Sequence, residues 1–171
     1  MRVADAIFKR LAKETSAVYY VPGGGSMYLV DALGRSNIKA ISAVHEQGAG
    51  LMALGHAMTR GLGVCLTTSG PGASNAMTAC LAAWTDSIPV LFISGQARTE
   101  QLEANKGTRT KGLQHFDVIS SVKHITKMAY EPVTSAHDCL IALDKMIQEC
   151  KDGRKGPCWL SVPQDIQGME M

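Results

Sequence analysis

Of the residues in this sequence, Glu46 is the best placed to move a proton. It stands within Val44-His45-Glu46-Gln47-Gly48-Ala49-Gly50, where an apolar strand pattern runs directly into a helical one. An acid in a first helical turn meets the positive end of the helix dipole, which alone is ordinary. The helix that follows is built of small residues, among them Gly48, Ala49, Gly50, Ala53, Gly55 and Ala57. A surface so smooth admits close approach by another helix or a subunit, and a carboxyl enclosed that way has its proton affinity raised by desolvation. An enclosed acid with an adjustable proton is a candidate for catalysis.

Two further turns carry chemistry. Pro22-Gly23-Gly24-Gly25-Ser26 follows an apolar strand, and its glycines permit close backbone approach and positive φ. Thr67-Thr68-Ser69-Gly70-Pro71-Gly72-Ala73-Ser74-Asn75 opens a helix, where free N–H groups and the Asn75 amide can meet the polar edge of a ligand. Neither turn is a G-x-G-x-x-G fingerprint or a phosphate-binding loop, since no Gly-Lys-Ser/Thr follows. Five cysteines without a C-x-x-C, and five scattered histidines without an H-x-x-x-H, encode no metal site by spacing. The cysteines read as buried structural thiols of a reducing compartment.

The elements that must position these turns alternate. Helix is expected over Val3 to Glu14, Ser26 to Leu33, Glu46 to Arg60, Gly72 to about Trp84, and Ser135 to Lys151. Strand is expected over Ser16 to Val21, Ile38 to Val44, Gly63 to Thr68, Pro89 to Ser94 and Pro157 to Val162. Lys123 to Met128 reads as an edge strand, Leu113 to Ser121 as a short helix, and Gly95 to Gly112 as a long polar loop with solvated charges. Several strands are near-continuous apolar runs, the mark of a parallel sheet covered on both faces. The expected architecture is a three-layer α/β/α fold with a mostly parallel, about six-stranded sheet, and its ligands belong at the carboxyl ends of the strands.

With 171 residues, 46% of them hydrophobic and 19% charged, the chain has material for one core and one domain. A net charge of +2 gives no footprint for nucleic acid. The apolar runs fall far short of the ~20 residues that cross a bilayer. A cytoplasmic globular domain over residues 1–168, with a tail at 169–171, is the expectation; Pro163 to Gly168 reads as a linker leaving it.

Taken in order, several motifs resemble the N-terminal pyrimidine-binding domain of thiamine-diphosphate enzymes, in the acetolactate synthase branch. They are Pro22-Gly23-Gly24-Gly25, His45-Glu46-Gln47-Gly48-Ala49, Thr68 to Asn75, Trp84-Thr85-Asp86-Ser87-Ile88-Pro89-Val90, and Gly156 to Asp165. The resemblance implies that Glu46 hydrogen-bonds N1′ of the aminopyrimidine and favours the 4′-imino tautomer that deprotonates C2. That carbon then attacks a 2-oxo acid, which loses CO2. It also implies that Gly23, Gly24 and Gly25 lie near C2, that Pro71, Gly72 and Asn75 surround the pyrimidine, and that Gln114 points into the active site. Where that branch usually reads Ala-Phe-Gln-Glu, this chain has Gly112-Leu113-Gln114-His115. The missing Phe belongs to the substrate region, which leaves open another 2-oxo acid or a modified sugar.

The family's Gly-Asp-Gly motif for diphosphate and Mg²⁺ is not matched by Lys151-Asp152-Gly153-Arg154. The resemblance therefore implies a separate diphosphate-binding domain, of the same or another chain, that holds the Mg²⁺; it leaves FAD open in a longer parent. An excised first domain is one explanation. The alpha subunit of a two-chain sulfopyruvate or phosphonopyruvate decarboxylase is another, and a degenerate, non-catalytic binding module a third. A nucleotide-binding α/β protein of another kind is opposed by the lack of a phosphate loop. The small-residue helices 46–60 and 72–84 are expected to form a homodimer interface.

Overall fold

The computed structural model describes residues 1–132 and 135–171. Six strands, β1 (Ala17–Tyr20), β2 (Lys39–Ser42), β3 (Gly63–Thr67), β4 (Val90–Gln96), β5 (Met128–Tyr130) and β6 (Cys158–Pro163), form one sheet. Their order is β2-β1-β3-β4-β6-β5, and every neighbouring pair is parallel. The three strands written as apolar runs, β3, β4 and β6, occupy the middle and are buried throughout. Polar β2 and short β5 take the edges, where one flank needs no partner.

Helices α1 (Val3–Leu11), α2 (Met27–Arg35), α7 (Ala136–Lys151) and α8 (Gln164–Gly168) cover one face. The other carries α3 (Glu46–Arg60), α4 (Pro71–Thr85) and α6 (Val118–Val122). The first core is made of large side chains such as Phe8, Leu11, Leu29, Leu33 and Leu143; each contributes roughly 1.5–3 kcal/mol on burial. The second has alanine at seven of its fifteen buried positions, with Phe92 stacked on Trp159 at 5.0 Å between ring centroids. Alanine and glycine let α3 and α4 run against each other: a Cβ on Gly50 would stand 2.5 Å from that of Ala79. Buried His56 of α3 is ringed by the Thr15 and Tyr19 hydroxyls, each at 3.2 Å. Burial, aided by the nearby Arg60 charge, holds its imidazole below its ordinary pKa.

Where the chain departs from the sequence-based expectation, local contacts explain it. β4 continues to Gln96, because Ser94, Gly95 and Gln96 still pair with β6. The expected loop 95–112 contains a helix, α5 (Thr99–Ala104), that buries Leu102 and is closed at its start by the Arg98 N–H donating to Gln101 Oε1 at 3.2 Å. One apolar residue among charged ones leaves no period to read. The helix expected over 113–121 shrinks to α6, since Gln114 sits at φ 54°. The edge strand lies at 128–130 rather than 123–128.

The expected linker is instead a helix. In α8 the Gln167 amide donates to the carbonyls of Gly25 and Val162, both at 2.8 Å, and Asp165 accepts from Thr99. Beyond it, Met169 O accepts from Val3 N at 2.9 Å and Met171 N donates to Met1 O at 3.0 Å. All five cysteines are free, buried thiols, and burial pushes that of Cys139 up to about 12. Among the described residues, no helix is long and apolar enough to cross a membrane. Because Ile166 is 2% exposed within the first core, Ile166→Ala lowers the unfolding free energy in urea by about 2–4 kcal/mol. A residue in a free linker would change it by no more than about 0.5 kcal/mol.

Candidate functional site

Strand order reverses between β1 and β3, because the chain leaves β1 toward β2 on one side and returns to β3 on the other. Parallel sheets open a crevice outside the strand ends at such a point. The turns after β1, β2 and β3 are those that carry the glycines, Glu46 and the Ser69–Asn75 run.

The first and third turns are locked together. Gly25 N–H donates to Thr68 Oγ1 at 3.0 Å. A Cβ on Gly23 would lie 2.5 Å from Thr68 Cβ, and one on Gly25 2.3 Å from Ser69 Oγ. Close approach is therefore what requires glycine at both positions; none of Gly23, Gly24 and Gly25 takes the positive φ that the sequence allowed. That conformation appears in the third turn, at Gly70 (φ +56°), which precedes Pro71 at the first position of α4. Pro22 and Pro71 are both exposed at the lip.

Glu46 begins α3, with His45 as the N-cap accepting from Gln47 N–H at 3.2 Å. Its Oε2 accepts from Asn75 Nδ2 at 2.9 Å, so the two helix starts are joined by one side-chain hydrogen bond. Its Oε1 lies 3.3 Å from where a Cβ of Gly72 would stand, and no hydrogen bond from a described residue reaches it. Asn75 thus holds the acid with one N–H of its amide. Glu46 is half-buried in the single chain; the enclosure expected of it is not supplied by this chain's own elements.

Gln114 is brought in by the 112–117 segment, its carbonyl packed where a side chain at position 70 would be, 2.2 Å from a Gly70 Cβ. With Gly24, Gly25 and Ser69 it lines a cavity of about 190 Å³. Glu46, Gly72 and Asn75 lie outside that cavity. The structure thus divides the predicted residues into an acid corner and a neighbouring hollow, with the Thr68-Ser69 turn between them.

Several contributors were not singled out in the sequence. Buried Gln96, at the end of β4, donates to Phe116 O at 2.9 Å and to Glu131 Oε2 at 3.0 Å, while its own oxygen accepts from Ala97 N–H. Ser161 Oγ donates to the same carboxylate oxygen at 2.6 Å. This network anchors the segment that carries Gln114. Gln101 and Gln164 complete the cavity wall. A polar residue ending an apolar strand was the available signal for Gln96; for the other two, the helices that carry them had not been expected. A roomier groove of about 660 Å³ lies between α1 and α7, but it is lined by the ion pairs of Arg10, Glu14, Asp144 and Lys151 and is remote from the strand ends.

Residues 1–121 match the family described as thiamine pyrophosphate enzyme, N-terminal TPP binding domain, and the chain belongs to that family. It is similar to acetolactate synthase isozyme 1 large subunit of Escherichia coli, 37% identical over 149 residues, or 86% of this chain and 25% of that one. Acetolactate synthase large subunit of Corynebacterium glutamicum is 34% identical, covering 100% of this chain and 27% of its own. A chloroplastic acetolactate synthase of Nicotiana tabacum is 34% identical over 96% of this chain and 24% of its own. The chain spans about a quarter of the length of these curated relatives. Gly70→Ala, which drives a methyl group into the Gln114 carbonyl, destabilises the protein by about 1–3 kcal/mol in urea unfolding; an unchanged midpoint would show that the 70–114 contact is not formed.

Proposed function

We propose that this chain is the pyrimidine-binding half of a thiamine-diphosphate-dependent enzyme that decarboxylates a 2-oxo acid and transfers the remaining acyl group, a reading supported by its similarity to proteins named acetolactate synthases. The observation that carries the reading is the Glu46 carboxylate, one oxygen held by Asn75 and the other open at the switch-point crevice. An open carboxylate oxygen at a helix start, beside a glycine with no side chain to block it, fits the N–H edge of a protonatable ring nitrogen.

Bound thiamine diphosphate supplies an acidic carbon that adds to the substrate carbonyl and an electron sink for the pair left when CO2 departs. The chain's own part is proton placement. Glu46 Oε1 would share a proton with the ring nitrogen N1′, while Asn75 positions the carboxylate by holding Oε2. Gly72, with no side chain beside Glu46 Oε1, would leave room for the ring, and the turn at Gly23, Gly24 and Gly25 would border the bound cofactor. Asp would be one methylene short at position 46, and Gln could not share a proton. The diphosphate and its Mg²⁺ belong to a second domain, of the same polypeptide or another.

A second copy completes the enclosure of Glu46. The outer face of α3 and α4 exposes Met58 (68%), Leu81 (48%) and Trp84 (40%), together with Leu51 and Met52. Large apolar side chains grouped on two adjacent helices mark an interaction surface, and like pairs of helices satisfy one another across a two-fold axis. A cytoplasmic location accords with the five reduced thiols.

Two measurements test this reading. With thiamine diphosphate and Mg²⁺ bound, in the polypeptide that carries both halves of the site, Glu46→Gln slows deuterium exchange at C2 by at least about 100-fold; unchanged exchange refutes the role of Glu46. Light scattering at micromolar concentration gives the mass of a dimer, and Leu81→Glu shifts it toward monomer. A clean monomer before substitution counts against the interface.

A further inference from the structure

At the amino ends of β4, β5 and β6, the end of the sheet opposite the switch-point crevice, three segments enclose a separate hollow. Trp84 and Thr85 close α4 ahead of β4, Lys127 immediately precedes β5, and Arg154 and Lys155 lead into β6; together they line a cavity of about 320 Å³. Buried Gly156 lies beside it. A Cβ on Gly156 would stand 3.2 Å from both Cγ and Cδ of Lys127 and 3.9 Å from Trp84 Cε3. The lysine stem and the indole edge thus meet over a residue that has no side chain to part them.

The charges around this hollow are all of one sign. Asp86 and Asp152, neighbours in sequence, do not line it. Among the described residues, none of its three cations takes part in an ion pair. Lys127 spends its ammonium on the carbonyls of Glu149 and Asp152, which are neutral groups. Arg154 donates from Nε to Ser87 Oγ at 2.7 Å, so its guanidinium is anchored while the two terminal nitrogens are left to bind. Trp84 is 40% exposed, and among the described residues neither a second ring nor a cation lies over its indole.

Positive charge without a counter-charge favours an anion, and a guanidinium fork beside an ammonium suits the oxygens of a phosphate or carboxylate. A small inorganic ion would use neither the indole nor the room, since about 320 Å³ is some ten times the ~30 Å³ share of one water molecule. A planar ring would use both, by stacking on the tryptophan face. The volume of about 320 Å³ is near the lower bound of small-molecule pockets, ~300–1,000 Å³, which suits one ring system with its acidic group. We propose that this cavity binds a small planar aromatic anion, its ring stacked on Trp84 and its phosphate or carboxylate held by Arg154 and Lys155. The site does not depend on the thiamine-diphosphate reading.

The test is calorimetric titration of the full-length protein with adenosine 5′-monophosphate and indole-3-carboxylate, each set against its uncharged parent, adenosine or indole. At least one anion is expected to bind with a Kd below about 1 mM and at least ~10-fold more tightly than its parent; which of the two does so separates phosphate from carboxylate. The double variant Arg154→Glu, Lys155→Glu changes two exposed side chains and weakens the anion at least ~10-fold while leaving the parent unaffected. Trp84→Leu weakens anion and parent alike. No anion binding below about 1 mM, equal affinity for anion and parent, or binding that the charge reversal leaves unaltered overturns the site. The comparison of anion with parent needs no variant to fold. Trp84 also borders the face proposed for a second copy, so the anions are titrated into Leu81→Glu as well: equal binding supports the site, and binding to that variant alone overturns it for the assembled protein.

Discussion

Backbone meets backbone at the carboxyl ends of the strands, and the geometry of the site depends on that closeness. A Cβ on Gly95 would fall 2.0 Å from the carbonyl oxygen of Gly25, and one on Gly70 2.2 Å from that of Gln114. At neither place is there room for a side chain, so three separate turns are pressed to a common edge. One hydrogen bond, from Gly25 N–H to Thr68 Oγ1, then fixes the first turn against the third. Sites assembled from loops hold their geometry only when such contacts leave little freedom. The acid of the second turn gains the same rigidity from Asn75 on the adjacent helix.

The two faces of the sheet divide the work. Large aliphatic and aromatic side chains under α1, α2 and α7 supply most of the apolar burial. The alanine-rich face under α3 and α4 contributes less per residue but brings two helix starts within hydrogen-bonding reach of each other. Small residues give up transfer free energy for proximity. Trp159, stacked on Phe92 and donating to Ser94 Oγ at 3.0 Å, fills the space that alanines leave beneath α4 and α6.

Much of this was legible in the residues. Long apolar runs marked β3, β4 and β6, because a strand buried on both sides has no polar alternation to disguise it. The turns carrying Glu46 and Ser69 to Asn75 were legible because glycine and proline interrupt those runs where helices begin. Short elements were less so. α5 holds one buried apolar residue, and α8 was hidden by a proline and two glutamines that suggest a departing chain. Its commitment to the core rests on Ile166 and on the Gln167 amide reaching two carbonyls, contacts between residues far apart in sequence. Which of the two freedoms of the glycine turn is used could not be read locally, because the crowding by Thr68 and Ser69 that makes close approach the decisive one comes from another part of the chain. The same holds for Gln96, whose role depends on Phe116 and Glu131 arriving from later segments.

The protein contains two tryptophans, placed in opposite surroundings. Trp159 is sealed inside the second core, whereas Trp84 stands 40% exposed at the end of α4. Intrinsic fluorescence therefore carries two separable signals in one emission band. The red-shifted, quencher-accessible part belongs to Trp84 and follows whatever settles on the outer surface of α4. The blue-shifted part belongs to Trp159 and changes only when the stacked aromatic pair comes apart, so docking and unfolding can be told apart without any added label.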